Sequence, residues 1–315
     1  MIDILYLLME ELGAGRTAAV AVVTATWGSA PRQAGSMMLV RSDGSFEGSV
    51  SGGCVEGSVI AEATSIIGQG SSKRLTYAVS NDNAFAVGLA CGGTIHISLF
   101  PLGPDSLHAI SATMATIADR QQGVLSLHHT GQAAHFERRE IAELADSHYA
   151  LRLPVRPKPR LDIIGAVHIA QALASMAAQC GFDVTVVDPR SAFTEARCFA
   201  DALVITDWPD EYFIRTPPDS TTAVVTLTHD PKLDDTALMP ALGSKAFYIG
   251  CLGSKKTHAE RLARLQARGV DEKVLERIHG PVGLNIGSKT PAEIAVSILS
   301  QIIQSQRTGA AYNAV

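Results

Sequence analysis

Along the first half of the chain the spacing of apolar residues changes period several times. Residues 2–12 (IDILYLLMEEL) carry Ile, Leu and Met at helical intervals and stop at Gly13, which predicts a short amphipathic helix. Residues 18–26 (AAVAVVTAT) are a continuous apolar run of strand length and predict a buried strand. Residues 36–41 and 46–50 form a hairpin around Ser42-Asp43-Gly44, since Asp-Gly suits the left-handed positions of a tight turn. Helical spacing returns from Gly53 to about Gly68, strands follow at 73–79 and 94–102, and a helix is expected over 105–120. GVLSLHHTG and AAHFERR make a further hairpin. Residues 1–150 therefore read as one mixed α+β domain without an internal repeat.

Residues 151–160 (LRLPVRPKPR) place three prolines and four cations in ten positions, a composition that resists helix and sheet and predicts an extended connector. From 161 to 315 the pattern becomes regular: LDIIG, a helical run from Ala166 to Cys180, FDVTVVDPR, ALVIT, TAVVTLTHD, another helical run, FYIGCLGS and two or three more helices. Strands alternating with helices predict an α/β domain with a parallel, doubly wound sheet. Helices on both faces explain why these strands are apolar throughout rather than alternating.

A length of 315 residues suits two domains, each able to bury its own core. The formal net charge of −5 argues against gripping a phosphate backbone, so nucleic acid is not an expected partner. No run approaches the roughly 18 apolar residues of a membrane span, and acids rather than basic residues precede the first apolar stretch, so a cytoplasmic protein is expected. Five cysteines without a CxxC pair imply free thiols rather than a disulfide framework. Cys180 and Cys198 read as small buried apolar residues.

The stretch from Leu161 to Arg190 has the layout of an opening dinucleotide-binding βαβ unit, in which a G-x-G-x-x-G turn precedes a helix and an acid closes the second strand. The three glycine positions hold Gly165, Val167 and Ala170, and the acid is Asp188. Val167 puts a branched side chain where backbone amides should approach a pyrophosphate, which favours the fold while arguing against tight NAD(P) binding. Gly165, His168 beside Val167, and Asp188 are this half's candidate ligand contacts; Asp188 either orients a ribose-like hydroxyl or merely ends its strand. Thr228-His229-Asp230 lies at a strand's carboxyl end, as ligand contacts or as a helix cap. The Gly253-Ser254-Lys255 turn suits an anion, or is a plain capped turn.

In the N-terminal half, glycines stand beside reactive side chains in three places: residues 28–35 (GSAPRQAG), 48–57 (GSVSGGCVEG) and Cys91-Gly92-Gly93. Paired glycines let amides point at a ligand, and a helix starting after Gly53 would favour a Cys54 thiolate through its dipole. A thiolate coordinates soft metals or carries sulfur, and Arg32 can clamp a phosphate with two parallel hydrogen bonds.

The phrases GSAPRQAGSMMLV, DGSFEGSVSGGCVEG and LACGGTIHISLF, followed by YIGCLGSKKTHAERL and GPVGLNIGSKTPAEIAVSIL, resemble the XdhC/CoxI family in order and across essentially the whole chain. The resemblance implies a non-enzymatic maturation factor. Such a protein would bind molybdenum cofactor as cargo, in molybdopterin or nucleotide form, protect it, support its sulfuration and insert it into a xanthine-dehydrogenase-type molybdenum hydroxylase. Implied partners are that apoenzyme, a cysteine desulfurase, cofactor-synthesis enzymes and a second copy in a homodimer. By position, the family's motifs fall on Pro31, Arg32 and Gly35, on Ser51, Gly52, Gly53, Cys54 and Glu56, and on Cys91, Gly92 and Gly93. Cys54 and Cys91 are the implied molybdenum or sulfur contacts. Three departures stand out: Ser51 for the triplet's first glycine, Val167 for a glycine, and Asn285 where Asp is frequent. Two other functions fit parts of the pattern: an NAD(P)-dependent oxidoreductase using the second domain, and a cofactor-free adaptor between sulfurase and apoenzyme.

Overall fold

A computed structural model describes residues 1–28, 32–78, 93–130, 133–139, 143–195 and 197–308. The chain divides into two compact units, Met1–Pro157 and a second beginning at Lys158.

The first unit begins with α1 (Ile2–Gly13), β1 (Ala18–Trp27), β2 (Met37–Val40) and β3 (Phe46–Gly48). Then come α2 (Glu56–Gln69), β4 (Lys73–Ala78), β5 (Thr94–Leu102) and α3 (Leu107–Ala118). β6 (Gly123–His128), β7 (His135–Glu137), β8 (Ala145–Asp146) and β9 (Ala150–Val155) complete it. An antiparallel sheet in the order β3-β2-β1-β5-β4 forms its centre, and a second sheet runs β7-β6-β9-β8. β1 is apolar from Ala18 to Val23 because both its faces are covered there. Ala18, Val20 and Val22 pack with α1, α3 and the second sheet, while Ala19, Ala21 and Val23 pack with α2 through Val59, Ala63 and Ile66.

The connector expected over 151–160 is not a connector for most of its length. Residues 150–155 form β9, paired with both β6 and β8, and Arg160 already begins the first strand of the second unit. Pro154 is tolerated because β8 reaches only Leu151 and Arg152, so the proline lies beyond that partner.

The second unit contains β10 (Arg160–Ile164), α4 (His168–Gln179), β11 (Asp183–Val187), α5 (Ser191–Glu195) and β12 (Leu203–Ile205). It continues with α6 (Pro209–Arg215), β13 (Thr222–Thr226), α7 (Pro231–Leu242), β14 (Tyr248–Cys251) and α8 (Lys255–Ala267). α9 (Glu272–Leu275), β15 (Ile278–His279) and α10 (Pro291–Thr308) end it. The strands run parallel in the order β12-β11-β10-β13-β14-β15, the doubly wound arrangement whose direction reverses between β10 and β13. One face is covered by α4 and α10, through Leu173, Ala177, Ile298 and Ile302; the other by α6, α7 and α8, through Phe213, Leu238 and Leu265. No described helix is long and apolar enough to cross a membrane.

Candidate functional site

Strand direction brings the N-terminal motifs to one place. Trp27 pairs with Thr94, Val22 with Met37, Met38 with Gly48, and Ala78 with Thr94. The end of β1, the start of β2, the end of β3 and the start of β5 therefore share one end of the five-stranded sheet. At that end lie Gly28, residues 32–35, residues 48–57 and Gly93. Segments separated by up to about sixty positions meet because every neighbouring strand is antiparallel. Cys91 and Gly92, like Pro31, lie outside the described residues; Gly93 is buried just before β5.

The Gly-Ser-Cys loop departs from the expectation that its amides face a ligand. α2 starts at Glu56 rather than after Gly53, and the Glu56 side chain turns back into the loop. Its carboxylate accepts from the Ser49 hydroxyl at 2.7 Å, the Val50, Ser51 and Gly53 amides at 3.3, 2.9 and 2.9 Å, and the Ser51 hydroxyl. Ser49 Oγ accepts from the Gly52 amide, and Ser51 Oγ from those of Cys54 and Val55. Every amide from Val50 to Val55 is thus donated inside the loop, and the anion it holds is the chain's own Glu56. The departure from glycine at Ser51 has a use: this fully buried hydroxyl ties Cys54 and Val55 to Glu56. Burial alone would raise the Glu56 pKa, but the Ser51 and Ser49 hydroxyls and the Ser51 amide bring it down to about 2.

What the loop presents outward is Cys54, partly exposed and resting against the cluster that holds Val50, Val55 and Val59. It stands directly ahead of the cap residue Val55, outside the first turn of α2. Arg32 is exposed and lines a groove of about 500 Å³ together with Asp3, Gly35, Glu47, Gly48 and Ser49. The PR-x-x-G segment and the start of the cysteine loop therefore share a wall. Trp27 was not expected as a site residue; it is 75% exposed on the last position of β1, between the first and third motifs. A break in the apolar run at TATW, directly ahead of Gly28, is the signal that could have found it. No group of three or more His, Cys, Asp or Glu side chains among the described residues could hold a metal ion.

In the second unit the expected ribose acid is occupied. Asp188 is fully buried; one carboxylate oxygen accepts from the Ala166 amide at 2.8 Å and Arg190 Nη2 at 2.8 Å, the other from the Arg190 amide and Nε. Four bonds fill the roughly four acceptor positions of a carboxylate, so none is left for a sugar hydroxyl. Burial opposes the charge and the Arg190 guanidinium favours it, leaving the pKa lowered. Arg190 is held in turn over the Phe193 ring at 4.1 Å. Gly165 faces a neighbour rather than a ligand: a Cβ there would meet Thr228 Cγ2 at 2.4 Å. Val167 is the N-cap of α4 and His168 its exposed first residue.

Of the remaining candidates, Asp230 caps α7 by accepting from the Lys232 amide, and Ser254 caps α8 by accepting from the Thr257 amide. Cys180 and Cys198, expected to be buried, are exposed: Cys180 is the C-cap of α4, on the solvent side of the helix end, and Cys198 lies in the turn after α5. Among the described cysteines Cys251 is the buried one, its pKa pushed up to about 12 chiefly by that burial.

Residues 161–302 match the XdhC Rossmann domain family, and residues 12–78 match the XdhC and CoxI family. The chain is 30% identical to a Bacillus subtilis protein described as a probable xanthine dehydrogenase subunit, over 92% of this chain and 93% of that one. It is 30% identical to the molybdenum cofactor insertion chaperone PaoD of Escherichia coli, over 95% of this chain and 86% of that one. A crystal structure described as a xanthine dehydrogenase from Bacillus halodurans superposes with a TM-score of 0.77 at 26% identity, covering 98% and 99% of the two chains.

Proposed function

The chain belongs to the XdhC and CoxI family, and from that premise we propose that it is a maturation factor that binds molybdenum cofactor and inserts it into a xanthine-dehydrogenase-type apoenzyme. The observation that carries the reading is the convergence of the motifs at one end of the five-stranded sheet. Cys54, on a loop whose hydrogen bonds are all internal, offers a thiol to the cargo's molybdenum or sulfur without the loop having to reorganise. Arg32, on the groove that the start of the cysteine loop also lines, pairs with the phosphate, and Trp27 offers a flat apolar face to the pterin. Gly52, Gly53 and Glu56 shape the loop rather than touch the cargo. Cys91 and Gly92 contribute from the third motif, with Gly93 buried just ahead of β5. The finer parts of the reading are that cargo held this way is shielded, receives its sulfur from a cysteine desulfurase, and is handed over by a cytoplasmic homodimer.

Anaerobic titration of the full chain with molybdenum cofactor tests this. Cys54→Ala is expected to weaken uptake by roughly a hundredfold and Arg32→Ala by about tenfold, the scale of a lost soft ligand and a lost charge-assisted contact. Wild-type protein that takes up no cofactor, or Cys54→Ala and Cys91→Ala proteins that still mature the target enzyme, would overturn the proposal.

The chain has two tryptophans, Trp27 and Trp208, so the stacking role has its own readout. Emission should be quenched as cofactor is added to a Trp208→Phe protein and should stay unchanged for Trp27→Phe. Equal quenching of both variants removes Trp27 from the site.

A further inference from the structure

At the first βα turn of the second unit, where a dinucleotide fold holds phosphate, Asp188 already takes the Ala166 amide and the α4 cap is the apolar Val167. A different turn on the same edge of the sheet has the chemistry that one lacks. β14 ends at Cys251, and Leu252-Gly253-Ser254 leads into the 13-residue α8. The helix opens with Lys255 and Lys256, both exposed and neither with an ion-pair partner among the described residues. Its N-terminus adds the positive end of the peptide dipoles.

The second, independent observation lies beneath the turn. Arg261 is 1% exposed, among the largest fully buried side chains. Its Nη2 donates to the Leu252 carbonyl at 2.9 Å and faces Asp234 at 3.4 Å, with Asp234 also receiving the Thr228 hydroxyl. Nε and Nη1 have no hydrogen-bond partner among the described residues. A buried guanidinium with two unused donors is costly unless something anionic or polar completes it. Nη1 is aimed at the turn: a Cβ on Gly253 would lie 3.9 Å from it and crowd Thr257 at 3.2 Å. Gly253 has a φ of 148°, a backbone state that side chains disfavour, and a side chain there would fill the space between Thr257 and Nη1 of Arg261.

We propose that the turn at Gly253 and the start of α8 form a phosphate-binding site, in which Lys255 and Lys256 draw in the anion, the first amides of α8 orient it and Arg261 completes its charge. The ligand class is a small phosphate or pyrophosphate ester, bound at the carboxyl edge of β14 rather than of β10. The site is built wholly from the second unit and does not depend on how the first unit holds its cargo.

Calorimetric titration of the full chain with inorganic phosphate and pyrophosphate, at ionic strength held constant with chloride, tests it. Wild-type protein should give saturable binding, tighter for pyrophosphate. The Lys255→Ala/Lys256→Ala protein, which changes only exposed side chains, should bind at least about tenfold more weakly. Arg261→Lys should weaken binding as well, while Arg32→Ala should leave it unchanged. Absence of saturable binding in the wild type, unaltered binding in the double-lysine protein, or a loss confined to Arg32→Ala would each overturn the assignment.

Discussion

Replacing Glu56 with alanine is expected to destabilise the N-terminal unit by about 3 kcal/mol and to abolish cargo retention, although Glu56 itself would not touch the cargo. The carboxylate accepts five hydrogen bonds from Ser49, Val50, Ser51 and Gly53, and truncation strands three amides and two hydroxyls that point inward. Water can reach some of them, which keeps the cost below the sum of the separate penalties. Glu56→Gln should be intermediate, since one carboxylate oxygen becomes a donor facing other donors. Hydrogen exchange gives the direct readout: amides 50–55 should lose roughly a hundredfold in protection, the equivalent of about 3 kcal/mol, while β10 to β14 keep theirs. The pH dependence has a fixed sign. The folded-state pKa of about 2 lies below the ordinary 4.5, so the carboxylate's contribution is complete above about pH 4.5, declines as pH falls, and is lost below about 2. That contribution is about 2 kcal/mol once solvent screening is allowed for, and Glu56→Gln should flatten the acid limb of the stability curve. Unchanged exchange at 50–55 would mean that Glu56 does not hold the loop.

This division between fold and contacts follows from what periodicity encodes. The run LDIIG followed by a helix and FDVTVVD reports burial on both faces, so β10, α4 and β11 could be read directly, as could the parallel sheet. The β2–β3 hairpin was legible from Asp43-Gly44, whereas the β1–β5 pairing that sets Trp27 beside Thr94 joins segments almost seventy positions apart and leaves no local signal. Arg190 stands two residues after Asp188 in plain view, yet spacing cannot show that its guanidinium folds back to fill the carboxylate. Glu56 could be picked out as a chemically able residue; whether it binds cargo or its own loop depends on where the Gly52-Gly53 turn directs the chain. The prolines of 151–160 misled because proline's penalty depends on which strand edge it meets, and at Pro154 the partner β8 has already ended.

The same distinction makes Gly165 decisive, because ligand approach and core packing predict different outcomes for Gly165→Ala. If this first glycine of the fingerprint serves an approaching pyrophosphate, an added methyl should alter binding and leave folding near normal. The structure gives a different expectation. Gly165 has a φ of 109°, outside the region alanine adopts readily, and its Cβ would lie 2.4 Å from Thr228 Cγ2 on the neighbouring strand's exit. Strain of about 1–3 kcal/mol and overpacking of about 1–3 kcal/mol give an expected loss near 4 kcal/mol. Thr228→Ser separates the two contributions. It removes Cγ2 but keeps the hydroxyl that donates to Asp234 at 2.6 Å and accepts from the Asp230 amide at 3.1 Å, so alone it should cost about 1 kcal/mol. Combined with Gly165→Ala it should relieve the collision and leave the backbone strain, making the pair less damaging than the sum by about 1–2 kcal/mol in denaturant unfolding. Simple additivity would show that Thr228 is not what excludes a side chain at 165. A coupling of the expected sign and size would assign this glycine to the contact between β10 and β13, where it closes the seam at which the sheet reverses direction.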